Sequence, residues 1–312
     1  MNKTDKYFVS VIVPNYCHAR FLDQRIQSIL NQTYQNFELI ILDDCSPDNG
    51  ASKAVIEKYR NNLHVSHIVY NETNSGSTFK QWEKGLSLAK GELIWIAESD
   101  DFCELTLLEE LEKQIERNPS CSLAYVLSQK TDEFGNIIGK SAKGRSDKIL
   151  DGSDFIKRYM SIGNSVCNAS SALFRRDVAL SVNPVYKEYK GGGDRLFWIE
   201  IAEIGKVAIV NKPLNYFRQH GNKVTPQKTI DGTNLREAYK TYEYLLNHFH
   251  FSDLRKSIIK GYYLSLIKKT KFVSEDIRWE LFSCWGGDDG FSILVLLGEF
   301  VSLIRNRCGI YL

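Results

Sequence analysis

The first 120 or so positions alternate short apolar runs with longer stretches whose apolar residues recur every three or four places. "FVSVIVP" (Phe8 to Pro14) is short, β-branched and stopped by proline, as a buried strand should be. "FLDQRIQSILNQ" follows, with Leu22, Ile26, Ile29 and Leu30 at helical spacing. The pairing then repeats: "FELIILDD" with "ASKAVIEKYRNN", "VSHIVYN" with "STFKQWEKGLSLAKG", and "ELIWIAE" with "LTLLEELEKQIERNP". In the third of these helices Ser75 or Ser77 is the expected cap and Gly91 the stop. Strand and helix in alternation predict an α/β fold, with a mostly parallel sheet sandwiched by helices.

Beyond Pro119 the alternation loosens. "SLAYVLSQKTDEFGNIIG" reads as a hairpin around "DEFGN", and the polar stretch 140–148 as a surface loop. "DGSDFIKRYM" opens a helix, "ASSALFRR" is a short strand, and "GGGDRLFWIEIAEIG" is a glycine-rich loop running into a helix. "KVAIVNKPLNYFRQHGN" reads as two short strands. From Gln227 onward the pattern is helical only, a C-terminal helical appendage spanning 226–312.

Bulk properties narrow the class. Apolar residues are 43% and charged residues 25%, the balance of a soluble globular protein, and 312 residues suit one large domain or two smaller ones. A net charge of +2 gives no argument for nucleic acid as a partner. Seven cysteines without any C-x-x-C pair fit reduced thiols in a cytoplasmic protein. The apolar run "FSILVLLGEFVSLI" is about 14 residues and carries Glu299, short of the roughly 20 that a membrane span needs. Lying on a membrane surface stays open.

Candidate chemistry gathers where the predicted strands end, and in an open parallel sheet ligands bind at the carboxyl ends. The first strand delivers Pro14, Asn15 and Tyr16, the second Asp43 and Asp44, and the fourth Glu98, Asp100 and Asp101. Taken singly, Asp43-Asp44 can be a helix cap and "ESDD" a solvated turn. Together they are carboxylates that would repel one another unless a cation intervenes. Mg²⁺ or Mn²⁺ takes oxygen ligands and brings phosphorylated substrates. Neither G-x-x-x-x-G-K-[ST] nor a G-x-G-x-x-G after the first strand is present, which argues against P-loop and dinucleotide sites.

The blocks "VSVIVPNY…FLDQRIQSILNQTYQNFELIILDDCSPD…NSGS…GLSLAKGELIWIAESDD" and "GGGDRLFW" resemble the inverting family-2 glycosyltransferases with the GT-A fold. The resemblance runs from Val9 to about Thr225. It implies a GT-A domain over 1–225, with a nucleotide-sugar half (about 1–120) and an acceptor half (about 121–225). It implies that Pro14 and Tyr16 flank the nucleobase of the donor. Asp44 would accept a hydrogen bond from the base ring, with Asp43 nearby supporting the loop, and Asn15 counts with Pro14 and Tyr16 among the donor-binding residues at the first strand's end. Glu98-Ser99-Asp100-Asp101 matches the acidic motif usually written D-x-D-D, in which Asp100 and Asp101 hold the cation and the ribose. Glu98, counted with them as a ligand of the cation, departs from that pattern. Asp194 falls where the family places its general base, although Gly193 stands where the family often has Glu. By itself Asp194 also reads as a helix N-cap after three glycines.

The implied reaction is transfer of a sugar, with inversion, from a nucleotide donor to a saccharide hydroxyl. A uridine diphosphate sugar is the expected donor, with a surface polysaccharide or lipid-linked saccharide as acceptor. Lys80 and Arg218 are candidates to steady the diphosphate. His220, in "FRQHGN", is either a cation ligand or a histidine in a surface turn. Six Lys or Arg and no acid lie between Arg255 and Lys271. They read as a solvated face, or as a peripheral contact with anionic membrane. The apolar end adds homodimer contact as a further reading. Two rivals remain for the whole chain: a nucleotidyltransferase, which should show a glycine-rich phosphate loop after the first strand, and a catalytically silent nucleotide-sugar-binding scaffold, which can dispense with Asp194.

Overall fold

The computed structural model describes residues 6–139, 146–221, 224–286, 295–296 and 298–300. β1 (Val9–Asn15), β2 (Phe37–Asp43), β3 (Val65–Tyr70) and β4 (Leu93–Ile96) lie in the order β3-β2-β1-β4, every pairing parallel. β1, β2 and β4 are buried along their whole length, which is why their sequences are unbroken apolar runs rather than alternating ones. The helices α1 (Ala19–Leu30), α2 (Ala51–Glu57), α3 (Thr78–Leu88) and α4 (Leu107–Arg117) come between or after them, as the periodicity predicts. Gly91 has another purpose than stopping α3, whose C-cap is Ala89. A Cβ on Gly91 would lie 2.4 Å from the Ser10 backbone nitrogen, so glycine lets the chain pass against β1.

Past β4 the sheet is mixed. It continues through β5 (Phe102–Cys103), β6 (Cys121–Thr131), β7 (Lys148–Asp151), β8 (Ala172–Arg175) and β9 (Lys206–Arg218) in the spatial order β4-β8-β6-β9-β5, with β7 on β9. β8 is antiparallel to both β4 and β6, whereas β6 and β9 are parallel. The expected turn at "DEFGN" is present, closed by Asp132, whose carboxylate accepts the Phe134 and Asn136 N–H groups. The two strands expected over "KVAIVNKPLNYFRQ" are one. Val126 faces Val210 and Leu127 faces Pro213, so Asn211 and Lys212 bulge out and the strand resumes.

The remaining helices are α5 (Gly152–Phe155), continued by a π-helical turn Ile156–Met160, α6 (Arg176–Ser181), α7 (Gly193–Glu203), α8 (Val224–Ile230), α9 (Thr233–His248), α10 (Asp253–Lys269) and α11 (Glu275–Cys284). The chain forms two compact units. The first comprises Met1–Gly152, Val166–Asn183 and Glu200–Gly221, and the second Ser153–Ser165, Pro184–Ile199 and Asn222–Leu312. The first holds the sheet, with Trp82 and Trp95 in its core. The second is helical, and its core is aromatic: Phe155, Phe197, Trp198 and Trp285 are fully buried, and Trp285 stacks on Tyr263 at 4.2 Å. Most of "FSILVLLGEFVSLI" lies outside the described residues. No described helix is long and apolar enough to cross a membrane.

Candidate active site

In the first unit the carboxyl ends of β1, β2 and β4 carry the residues singled out from the sequence. Asn15 is buried and donates from Nδ2 to Asp43 Oδ1 at 2.7 Å, while Tyr16 is 46% exposed. Asp43 also accepts from the Ser46 N–H and hydroxyl. Asp44 is buried among neutral donors: the Asn71, Asn74 and Gln81 amides and the Ser75 N–H and hydroxyl, all within 3.2 Å. Ser75 therefore serves Asp44, and Ser77 is the N-cap of α3. An open cavity of about 680 Å³ is lined by Asn71, Asn74, Ser75, Lys80 and Lys84 among others, and Lys80 Nζ donates to the Ser75 carbonyl at its edge. At β2 the Asp44 carboxylate is thus met by five neutral hydrogen-bond donors.

The end of β4 is arranged differently. Asp101 is fully buried, and its oxygens accept from Asn168 Nδ2, Ser170 Oγ and the Arg218 N–H at 2.8–3.0 Å. Burial, and then the Asp100 charge, push its carboxyl up to about 6. Glu98 accepts from Trp82 Nε1 at 3.0 Å, and burial followed by Asp100 pushes it up to about 8. Both rises are opposed by Arg25, wholly buried in α1 with its guanidinium 4.9 Å from the Trp95 ring centre. Asp100 faces His220, with Oδ2 and Nε2 2.9 Å apart.

Among the described residues, one cluster offers three metal-ligating atoms within 4.8 Å of one another: His18, Asp100 and His220. One carboxylate and two imidazoles are a fitting donor set for a divalent cation, and the side chain of His220 is buried with Nε2 against Asp100. Glu98 and Asp101 are not part of that cluster. Arg218, expected at a diphosphate, is turned inward. Its side chain donates to the Asp100 and Glu133 carbonyls and to Gln24, between the rings of Phe21 and Phe102. It fastens the acidic segment.

In the second unit, Asp194 is the second residue of α7, inside its first turn rather than at the N-cap. Its Oδ1 accepts the Arg195 N–H and its Oδ2 accepts Asn164 Nδ2, each at 2.8 Å, and burial pushes its carboxyl up to about 6. The glycine loop before it is tied down rather than free. Glu237, buried in α9, accepts the backbone N–H groups of Lys190, Gly191 and Gly192 at 2.5, 3.0 and 2.7 Å. Arg195 is buried and donates to the Met160 and Ser161 carbonyls and to the Tyr263 hydroxyl. The helical region thus locks the position of Asp194. Several cations of the basic run have local partners: Arg255 with Lys157 O and Ser161 Oγ, Lys256 with Asp253, and Lys269 with Glu299. Phe155, Phe197 and Trp198 are core, while Tyr159 is half-buried and stacks on Phe155.

Residues 10–181 match glycosyl transferase family 2. The chain belongs to this family. Family-2 relatives extend the match: TuaG of Bacillus subtilis, a glycosyltransferase named for teichuronic acid biosynthesis, is 34% identical over 78% of this chain and 91% of its own length. TarP of Staphylococcus aureus, a poly(ribitol-phosphate) beta-N-acetylglucosaminyltransferase, is 30% identical over 67% of this chain, but the match spans only 62% of TarP. The fold is that of S. aureus TarS 1–349 in complex with UDP-GlcNAc, with a TM-score of 0.68 over 89% of this chain and 80% of that one at 18% identity. A Pyrobaculum calidifontis mannosyltransferase in complex with GDP-Man and Mn²⁺ gives a TM-score of 0.59 over 97% and 81% of the two chains, at 13% identity. The GT-A sheet and the C-terminal helical region are those that the sequence predicts.

Proposed function

We propose that this glycosyltransferase moves a sugar from a uridine diphosphate donor to a hydroxyl of a surface-polymer saccharide, inverting the anomeric centre with the aid of a divalent cation. The observation that carries the reading is the Asp100–His220 pair, 2.9 Å apart just past β4. It lies at the carboxyl side of the sheet, where the ends of β1 and β2 present Tyr16 and Asp44. Tyr16 supplies an exposed ring against the base. Asp44, held by five donors, is fixed to accept a base N–H in exchange for one of them. Lys80 lines the cavity beside it, suited to phosphate oxygens. Asp100 and His220 would hold the cation, whose charge steadies the departing diphosphate. Asp194 accepts the acceptor's proton, and its raised pKa of about 6 makes it a stronger base than an exposed aspartate while leaving it ionised at neutral pH.

The donor assignment leans on TarS, which binds UDP-GlcNAc and UDP, and the acceptor class on the names of TarP and TuaG. A thermal-shift panel of UDP-, GDP- and TDP-sugars with and without Mn²⁺ tests it, because a ligand that binds only the native state stabilises it by mass action. The reading expects the largest shift from a UDP-sugar with metal. Donor hydrolysis by wild type and Asp194→Ala tests the base. Equal turnover in the two would reduce the protein to a nucleotide-sugar-binding scaffold.

A further inference from the structure

We propose that His18 joins Asp100 and His220 in one cation site, and that this two-imidazole set selects a first-row transition-metal ion over Mg²⁺. The inference rests on the reading that the acidic end of β4 binds a divalent cation, and it names a ligand and a selectivity that the acidic motif alone does not.

His18 reaches the site because the chain turns sharply after Tyr16. Cys17 adopts φ 58°, a left-handed conformation that is uncommon for a side-chain-bearing residue, and its N–H is held by Ser46 Oγ at 2.9 Å. His18 thereby stands at the head of α1, against the acidic segment. Its Nδ1 is hydrogen-bonded to Ser99 Oγ at 2.9 Å, the kind of contact that orients a ligating imidazole. The His18 and His220 rings meet edge to face, with centroids 5.3 Å apart. Phe21 packs against both rings at 6.2 and 5.2 Å and walls the pair with apolar surface.

His220 completes the set. Its side chain is 2% exposed, and Nε2 faces the Asp100 carboxylate at 2.9 Å, so a nitrogen and an oxygen donor are already side by side in a buried position where a cation could take both.

The donor chemistry sets the preference. Mg²⁺ takes oxygen ligands and keeps its waters, whereas imidazole favours transition ions increasingly from Mn²⁺ to Co²⁺. Affinity should therefore rise in the order Mg²⁺, Mn²⁺, Co²⁺.

The test is calorimetric titration of the full chain with each ion alone, together with pulsed electron paramagnetic resonance of bound Mn²⁺ to count imidazole nitrogens. Wild type, His18→Ala and His18→Gln are compared. His18 makes no side-chain cap bond to α1, so its loss should leave the helix intact, and circular dichroism checks this. The expected result is two imidazole signals in wild type and one in either variant. Mn²⁺ and Co²⁺ affinities should fall about tenfold or more, and Mg²⁺ affinity much less. Unchanged selectivity, or one imidazole already in wild type, overturns the proposal. A UDP thermal shift in the same samples separates the two levels: UDP bound with selectivity unchanged removes only His18, whereas neither UDP nor any divalent ion bound by wild type removes the donor-site reading as well.

Discussion

Glu98 stands at the first position of the stretch that resembles a D-x-D-D motif, and Glu98→Gln turns its burial into a measurable quantity. The carboxyl is pushed from 4.5 up to about 8 by burial and by Asp100, so at neutral pH the native state holds a proton that the unfolded chain has released. The sign follows directly. Between pH 4.5 and 8 the native state binds more protons, so stability falls as pH rises through that window and levels off above it. At pH 7 the gap of 2.5 units corresponds to about 3 kcal/mol, and at pH 9 the whole shift to about 5 kcal/mol. Glu98 keeps some solvent contact, which screens these figures toward their lower half. Glutamine cannot titrate, and its oxygen can still accept from Trp82 Nε1. Urea unfolding in EDTA, followed by tryptophan fluorescence, should show the variant gaining less than about 1 kcal/mol at pH 5, about 2 at pH 7 and more at pH 9. EDTA matters because a bound cation would lower the carboxyl. A stability gap independent of pH, or a less stable variant at pH 9, would refute the reasoning.

Asp194→Asn should reduce transfer at least 100-fold with little change in donor affinity, measured as UDP release and UDP binding. In wild type, with Asp194 near 6, the rate should fall about tenfold per pH unit below pH 6 and level off above it; a limb centred near pH 4 would contradict its burial. Glu237→Ala frees three backbone N–H groups ahead of Asp194 and should lower kcat about tenfold or more while leaving UDP affinity unchanged, because a displaced base costs rate rather than donor binding. Asp44→Asn sets an amide NH₂ among donors that now converge on a carboxylate, and UDP affinity should drop about tenfold in a thermal-shift titration.

The parallel half of the sheet was legible because strands buried on both faces are spelled as unbroken apolar runs, and β1, β2 and β4 are such strands. The bulge in β9 was not legible, because "VNKPL" looks like a break until β6 is beside it. Acidic residues at strand ends were readable as a class, but their partners were not. Asp44 is satisfied by amides and Asp101 by Asn168 and Ser170, polar residues with no distinguishing pattern. Arg218 looked like a phosphate ligand, yet backbone carbonyls enclose it, and carbonyls leave no trace in sequence. His18 was overlooked although it lies two residues past Tyr16, in the loop that delivers the donor residues. Its partners, Ser99 and His220, come from distant parts of the chain. Glu237 reads as surface charge on a helix, and only the fold brings it under the glycine loop.

The most direct test of the central claim, a single-displacement transfer with Asp194 as base, is the anomeric configuration of the first sugar released. Hydrolysis of an α-linked UDP-sugar, followed by proton NMR before mutarotation, should show the β-anomer appearing first in wild type and no release above background in Asp194→Asn. An initial α-anomer, or undiminished release by the variant, would contradict the account.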